Sequence, residues 1–277
     1  MSIWQTAQHW SDEPPTTQFT LGEGNTPLVA SRRLGASCGL DRLFFKIESG
    51  NPTGSYKDRF AAAAISDMLS RGQRRAISTS SGNTGAALAA YCAAAGIDCE
   101  IAVVETAPAE KLLQMQSFGA QIYRVRGFGV DPHVTRQTLE RLKQRAAEPG
   151  AALQISAFAY SPAGMEGVRS LACELAEQQP SGWDHVFCQA GGGGLTLAVA
   201  QGFARLQQAG RLEKAPCIEC AQPKGNATIA GPLKEGESQA RDVQCTTTVS
   251  GLQVASVIDG NETLQAVRAS GGIGHIV

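Results

Sequence analysis

Residues 48–60 are E-S-G-N-P-T-G-S-Y-K-D-R-F. Leu43-Phe44-Phe45-Lys46-Ile47 before it has the apolar, β-prone character of a strand. Ala61 to Leu69 after it is alanine-rich and helical in character. Asn51, Pro52, Thr53 and Gly54 supply the turn between them. A strand, a Pro/Gly turn and then a helix put the turn at the end of a strand, where open α/β sheets keep their sites. Lys57 lies at the mouth of that helix. A lysine in such a place can be desolvated and held as the free amine, which forms imines with aldehydes. Taken alone, Lys57 reads first as a surface lysine in a first helical turn, because a lone motif match carries a high false-positive risk; the landmarks that follow in the chain reverse this.

Outward from this stretch the chain alternates. Strand-like runs fall at 42–47, 75–79, 99–104, 121–125, 152–156, 184–189 and 216–221. Helix-like runs fall between them, near 57–71, 84–95, 108–118, 132–146, 164–178 and 195–209. Several carry apolar residues three and four apart, as in Leu139, Leu142 and Ala146. This pattern predicts β-α units and a largely parallel sheet. There is no repeat of fixed period and no low-complexity tract. Residues 1–20 carry little pattern and are expected to form a peripheral arm. Gly22-Glu23-Gly24-Asn25-Thr26-Pro27-Leu28 reads as a turn-rich entry.

Two further strand-to-helix junctions carry chemistry. Ser80-Ser81-Gly82-Asn83-Thr84-Gly85 follows the run 75–79 and opens the helix after it. Small hydroxyl and amide side chains at a helix N-terminus, with free backbone N–H groups and the positive dipole end, suit a carboxylate. The same residues also serve as ordinary helix caps. Gly191-Gly192-Gly193-Gly194 follows the apolar Val186-Phe187-Cys188 and precedes a helix near Leu195. Four glycines let the backbone approach an anion closely, and successive N–H groups can cradle a phosphate. No G-K-[ST] follows, so it is not a Walker loop, and the G-x-G-x-x-G spacing is absent.

With these landmarks in order, the chain resembles the threonine synthase family, within the tryptophan-synthase-β-like (fold type II) group of pyridoxal-phosphate enzymes. The resemblance runs from Gly22 to about Val277 and includes the G-E-G-N-T-P-L entry. It implies that Lys57 carries pyridoxal 5′-phosphate as an imine. It implies that Asn83 lies beside the phenolic oxygen of the cofactor ring. Ser80, Ser81, Asn83 and Thr84 would bind the substrate α-carboxylate, and backbone N–H groups of Gly191, Gly192, Gly193, Gly194 and Leu195 the cofactor phosphate. The implied fold is two doubly wound three-layer α/β/α domains with mostly parallel sheets and the cofactor in the cleft between them. Residues 73–158 would form the smaller, inserted domain, and 1–72 with 159–277 the larger one. A homodimer is implied, with a small amino acid as substrate.

The implied reaction is elimination or replacement, as in conversion of O-phosphohomoserine to threonine. Two departures keep other readings open. The stretch Ser161-Pro162-Ala163-Gly164-Met165-Glu166-Gly167 has no basic residue until Arg169, where the family carries one. Arg59, Arg124, Arg126 and Arg169 are candidate replacements for a substrate phosphate. The tetraglycine also resembles those of serine/threonine dehydratases and cysteine synthases, which leaves a dehydratase or β-replacement enzyme as the alternative. In the family, the stretch matching Gly271–Val277 leads into a segment with a Ser or Thr for the pyridine nitrogen. No residue here matches it, so a truncated, non-catalytic cofactor-binding homologue is the third reading.

Composition sets the remaining bounds. The chain has 277 residues, 43% hydrophobic and 18% charged, enough for a substantial core. A net charge of -1 gives no electrostatic case for nucleic acid or an acidic membrane. Met1 to Gln18 lacks the basic start and apolar core of a signal peptide, so a cytoplasmic location is expected. Eight cysteines are scattered among mostly apolar neighbours. Cys217 and Cys220 are formally C-x-x-C, but in a strand they lie roughly 10 Å apart on opposite faces, which suits neither a disulfide nor a shared metal. His9, His133 and His185 read as isolated and no metal spacing is present.

Overall fold

The computed structural model describes residues 2–254 and 256–277. The chain opens with α1 (Ala7–Trp10) and a two-stranded antiparallel ribbon, β1 (Leu28–Ala30) on β2 (Phe44–Lys46), with α2 (Leu34–Ser37) between. The helix that Lys57 opens, α3 (Lys57–Ser70), follows.

A parallel sheet comes next, in the order β5-β4-β3-β6: β3 (Arg75–Thr79), β4 (Asp98–Val104), β5 (Gln121–Val125) and β6 (Ala151–Leu153). It alternates with α4 (Asn83–Ala95), α5 (Ala109–Ser117) and α6 (Pro132–Ala146). Strand β3 is central, and Ala76, Ile77 and Ser78 are all buried, as expected of a strand covered on both faces. Ala76, Ile101 and Val103 join the cluster that includes Leu88 and Cys92 of α4. Ile77 and Ala102, pointing the other way, pack with Phe128 and with Leu142 of α6. Asp131 caps α6 through His133 N and Val134 N.

The sequence pattern predicts one helix over 164–178. The structure divides it into α7 (Pro162–Val168) and α8 (Ser170–Gln178), because Arg169 N donates to Glu166 O and Ala172 N to Arg169 O, a local i→i+3 turn. Helix α7 lies tightly on α3. A Cβ at Gly164 would sit 2.6 Å from the Phe60 ring, and one at Gly167 2.5 Å from the Arg59 carbonyl. Glycine on one helix and Ala61–Ala64 on the other permit this approach.

The last sheet is parallel, in the order β7-β8-β9: β7 (His185–Gln189), β8 (Cys217–Gln222) and β9 (Gly274–Ile276). Helices α9 (Gly194–Gln208), α10 (Ala230–Glu235) and α11 (Gly260–Ala269) pack on it. Gly272 passes so close to the Ile218 carbonyl that any Cβ there would collide. The other face carries Phe187, 61% exposed. His185 is not isolated as the sequence suggests. Its Nδ1 and the His275 Nε2 lie 2.8 and 2.9 Å from the two oxygens of the buried Glu219. Cys217 and Cys220 are free thiols on β8, half-buried and buried in turn.

The first half of the expected peripheral arm is instead part of the core, while residues 12–20 are exposed or half-buried. Ile3, Trp4, Ala7 and Trp10 are buried, Trp10 to 1% exposure, and α1 packs on α8 and α9. The two indoles meet at 5.3 Å, and their N–H groups donate to the carbonyls of Phe19 and Ile3. Two tryptophans in a polar stretch show no periodicity, which is why the segment reads as peripheral. No helix among the described residues is long and apolar enough to cross a membrane.

Candidate active site

Each residue around Lys57 in the 48–60 stretch has a fixed task. Asn51 is buried. Its Nδ2 donates to Glu48 O and Oε2, and its Oδ1 accepts from Gly24 N, tying the glycine-rich entry to the turn. Asp58, at the second position of α3, accepts from Thr53 N at 3.0 Å and Thr53 Oγ1 at 2.8 Å, closing the turn onto the helix. Burial pushes its carboxyl up, and the Thr53 bonds work against that rise. Ser55 Oγ accepts from Lys57 N.

Arg59 is fully buried and braces the whole assembly. Its Nε and Nη2 each donate to Glu48 at 2.8 Å, and its Nη1 and Nη2 donate to Glu174 at 2.6 and 2.9 Å. Glu174 also takes Lys46 Nζ at 2.7 Å and Asn25 N at 2.7 Å. Burial alone would raise the Glu174 carboxyl, but the bonds and charge of Arg59, then Lys46, carry it down to about 2.

Lys57 therefore leaves a rigid turn with its amine free of this network. Its Nζ lies 4.4 Å over the Tyr56 ring and donates to Ser156 Oγ at 2.7 Å. Ser156 follows β6, and its Oγ lies 3.0 Å from Thr84 Oγ1 on α4. Asp259, buried just before α11, accepts from Phe158 N and Ala159 N and so holds the Ser156 loop. Burial pushes the Asp259 carboxyl up.

At the second junction Thr84 is buried and Asn83, the first residue of α4, is exposed. Ser80 Oγ accepts from Gly82 N, and Ser81 Oγ from Val104 N at the end of β4. Both hydroxyls act as acceptors there, so their O–H groups remain available to a carboxylate.

At the third junction the tetraglycine turns into α9. The backbone N–H groups of Gly191 to Leu195 have no acceptor among the described residues. Gly193 has φ of +97°, and a Cβ there would overlap Thr263 Oγ1 and lie 2.9 Å from Ile229. A Cβ at Gly194 would lie 3.6 Å from the Ser156 carbonyl, so the glycine turn and the Lys57 amine meet at the same residue.

Residues 19–277 match the family described as pyridoxal-phosphate dependent enzyme. This chain belongs to that family. Threonine synthase of Mycobacterium tuberculosis is 32% identical over 258 residues, 92% of this chain and 67% of that protein. Threonine synthase of Methanocaldococcus jannaschii is 28% identical and covers 100% of this chain and 67% of its own length. The chain thus spans about two thirds of the length of these relatives. Among solved structures, maize serine racemase superposes with a TM-score of 0.72 at 26% identity, covering 92% of this chain and 71% of that one. Diaminopropionate ammonia lyase from Escherichia coli shares the fold, with a TM-score of 0.73 at 18% identity over 97% of this chain and 70% of that one.

The cofactor of this pyridoxal-phosphate enzyme is pyridoxal 5′-phosphate, and the architecture is the mixed α/β fold with mostly parallel sheets seen in its structural neighbours. The residues present fit the group. Five unclaimed backbone donors at the N-terminus of a 15-residue helix suit a dianionic phosphate, and no side chain fills the turn. A lysine amine lies beside it, held by a hydroxyl and not locked to a carboxylate.

The candidate arginines do not fit a substrate-phosphate site as the sequence suggests. Arg59 is consumed by Glu48 and Glu174. Arg169 donates to Gln201 and to the Trp10 carbonyl, lies within 3.4 Å of Glu166, and stacks on Phe158. Arg124 and Arg126 are exposed, and Arg126 pairs with Glu105. Ser156, Asp259 and Glu174 are site-building residues that sequence reasoning missed. Only Ser156 left a signal, as the last residue of a strand-like run.

The glycine turn gives a direct test. Gly193→Ala forces a Cβ into Thr263 at a left-handed φ, so the turn must open. Binding of pyridoxal phosphate, followed by fluorescence titration, is expected to weaken by about tenfold or more, the loss of one charge-assisted hydrogen bond. Unchanged affinity would exclude Gly193 from the phosphate site.

Proposed function

We propose that the protein is a pyridoxal-phosphate-dependent lyase that carries out elimination or replacement on a small α-amino acid, in the manner of a threonine synthase acting on O-phosphohomoserine. The observation that carries this reading is Ser156, whose hydroxyl meets the Lys57 amine while its carbonyl lies at Gly194 of the glycine turn. An amine and an anion cup that close together match one small aldehyde phosphate. We further propose that residues 73–158 are the smaller domain and that 1–72 with 159–277 form the larger. The β5-β4-β3-β6 sheet, built within 75–153, supports this division.

In this reading Lys57 is the covalent attachment point. Backbone N–H groups of Gly191 to Leu195 would hold the 5′-phosphate, and the Asn83 amide would serve the phenolic oxygen of the ring. The hydroxyls of Ser80, Ser81 and Thr84, with Asn83, receive the substrate α-carboxylate at the positive end of α4. When bound, pyridoxal phosphate supplies an electron sink for the pair left at the substrate Cα. The Lys57 amine would take the α-proton of the substrate as general base. The Arg59–Glu48–Glu174 network keeps the turn that carries Lys57 from yielding as this happens.

A second reading rests on a separate observation. With Arg59 and Arg169 both spent on internal partners, an unphosphorylated substrate such as serine or threonine is favoured over a phosphorylated one. The test is turnover by the cofactor-loaded protein on O-phosphohomoserine, threonine, serine and O-acetylserine. Phosphate release with threonine formation supports the threonine synthase reading. A 2-oxo acid from serine or threonine, with no phosphate release from O-phosphohomoserine, selects the dehydratase reading. Bound cofactor with no α-proton exchange on any of them leaves a non-catalytic homologue.

A further inference from the structure

We propose that Ser156 is a positioning residue that holds the Lys57 amine ready for attachment and release of an aldehyde, with Thr84 as its second hydroxyl partner. This deepens the reading of Lys57 as the cofactor-bearing residue and rests on it. Ser156 Oγ lies 2.7 Å from Lys57 Nζ and 3.0 Å from Thr84 Oγ1, although Lys57 and Ser156 are 99 positions apart in the chain. A hydroxyl is both donor and acceptor. It accepts from the ammonium form of Lys57 and donates to the lone pair of the free amine, so the contact survives either state. A carboxylate in that place would favour the ammonium and oppose attack on a carbonyl.

The surroundings agree with that choice. The Tyr56 ring covers one side of Nζ at 4.4 Å. The charged group that interacts with Lys57 from just before α11 is Asp259, and its two oxygens are taken by Phe158 N and Ala159 N. Asp259 thus steadies the loop that carries Ser156 and makes no hydrogen bond to the amine among the described residues. The Lys57 amine therefore meets a neutral, two-way partner, fixed from behind by Asp259 and from the side by Thr84.

Two readouts test this, one of them with no cofactor present. In the first, apo-protein is labelled with acetic anhydride across the lysine titration range, and the Lys57 peptide is quantified by mass. Ser156→Asp is expected to move the half-labelling pH of Lys57 upward by about 1 unit, the effect of one nearby opposite charge. Ser156→Thr is expected to leave it in place. Ser156 is only half-buried, so both variants are expected to fold. In the second, the rate of borohydride-trappable attachment of pyridoxal phosphate is measured. Ser156→Ala is expected to slow it about tenfold, the loss of one hydrogen bond, and Ser156→Thr to restore it.

Labelling that is identical in Ser156→Asp and wild type, or attachment at the wild-type rate in Ser156→Ala, overturns the proposal. If wild type forms no adduct on Lys57 while the labelling shift appears, the reading of Lys57 as cofactor-bearing fails and the Ser156 contact stands. If wild type forms the adduct and Ser156→Ala forms it at the same rate, only the Ser156 proposal fails.

Discussion

Lys57→Ala is expected to give a folded protein that forms no borohydride-stable adduct with pyridoxal phosphate and loses at least about 10³-fold in turnover, since in the proposed function one side chain would serve as both covalent anchor and general base. Folding is expected to survive for local reasons. The Lys57 amine contacts a half-buried serine and the face of Tyr56, and makes none of the buried ion pairs that its neighbour Arg59 makes. Alanine is also a strong helix former at the start of α3. The expected change in stability is within about 0.5 kcal/mol, the usual range for a substitution outside the core. Thermal unfolding followed by circular dichroism checks the fold, and reduction followed by mass spectrometry checks the adduct. An adduct that persists in this variant at another lysine contradicts the assignment.

Glu174→Gln carries the largest expected loss of stability. Glu174 takes two bonds from Arg59, one from Lys46 and one from Asn25, and both cations are buried or nearly so. Removing the negative charge leaves Arg59 with Glu48 as its remaining carboxylate beside the Ser170 and Thr26 hydroxyls, and breaking a buried pair in this way costs about 3–5 kcal/mol. The pH dependence follows from the same contacts. The Glu174 carboxyl is held down to about 2 against an ordinary 4.5. Its contribution, about 3 kcal/mol, is complete above pH 4.5 and is lost as pH falls toward 2, because the unfolded chain takes up the proton first. Denaturant unfolding at neutral and acid pH measures both effects. Wild type is expected to lose stability in that window more steeply than Glu174→Gln. Parallel pH profiles in the two proteins contradict this account of the network.

Much of the layout was legible because it rests on local signals. Strand β3 falls at 75–79 in both pattern and structure, and α6 at 132–146. The three loop motifs lie where an apolar run meets a helix start, which local chemistry alone can mark. Shorter elements escaped. Strand β1 has three residues, and α11 declares itself only by Leu264 and Val267 in a polar run. What could not be read was partnership. Arg59 looks like a free cation in sequence, yet it is spent on Glu48 eleven residues away and Glu174 on another helix. Ser156 and Asp259 gain their meaning only when β6, α4 and the start of α11 converge. Tertiary contacts of this kind leave no periodic trace.

Chemical trapping tests whether Lys57 holds the cofactor. The purified protein is incubated with pyridoxal phosphate, reduced with borohydride, digested and mapped by mass. The account predicts a single pyridoxyl adduct, on the peptide containing Lys57, with a visible absorbance band that disappears on reduction. A folded protein with no adduct, or one modified at a different lysine, contradicts it.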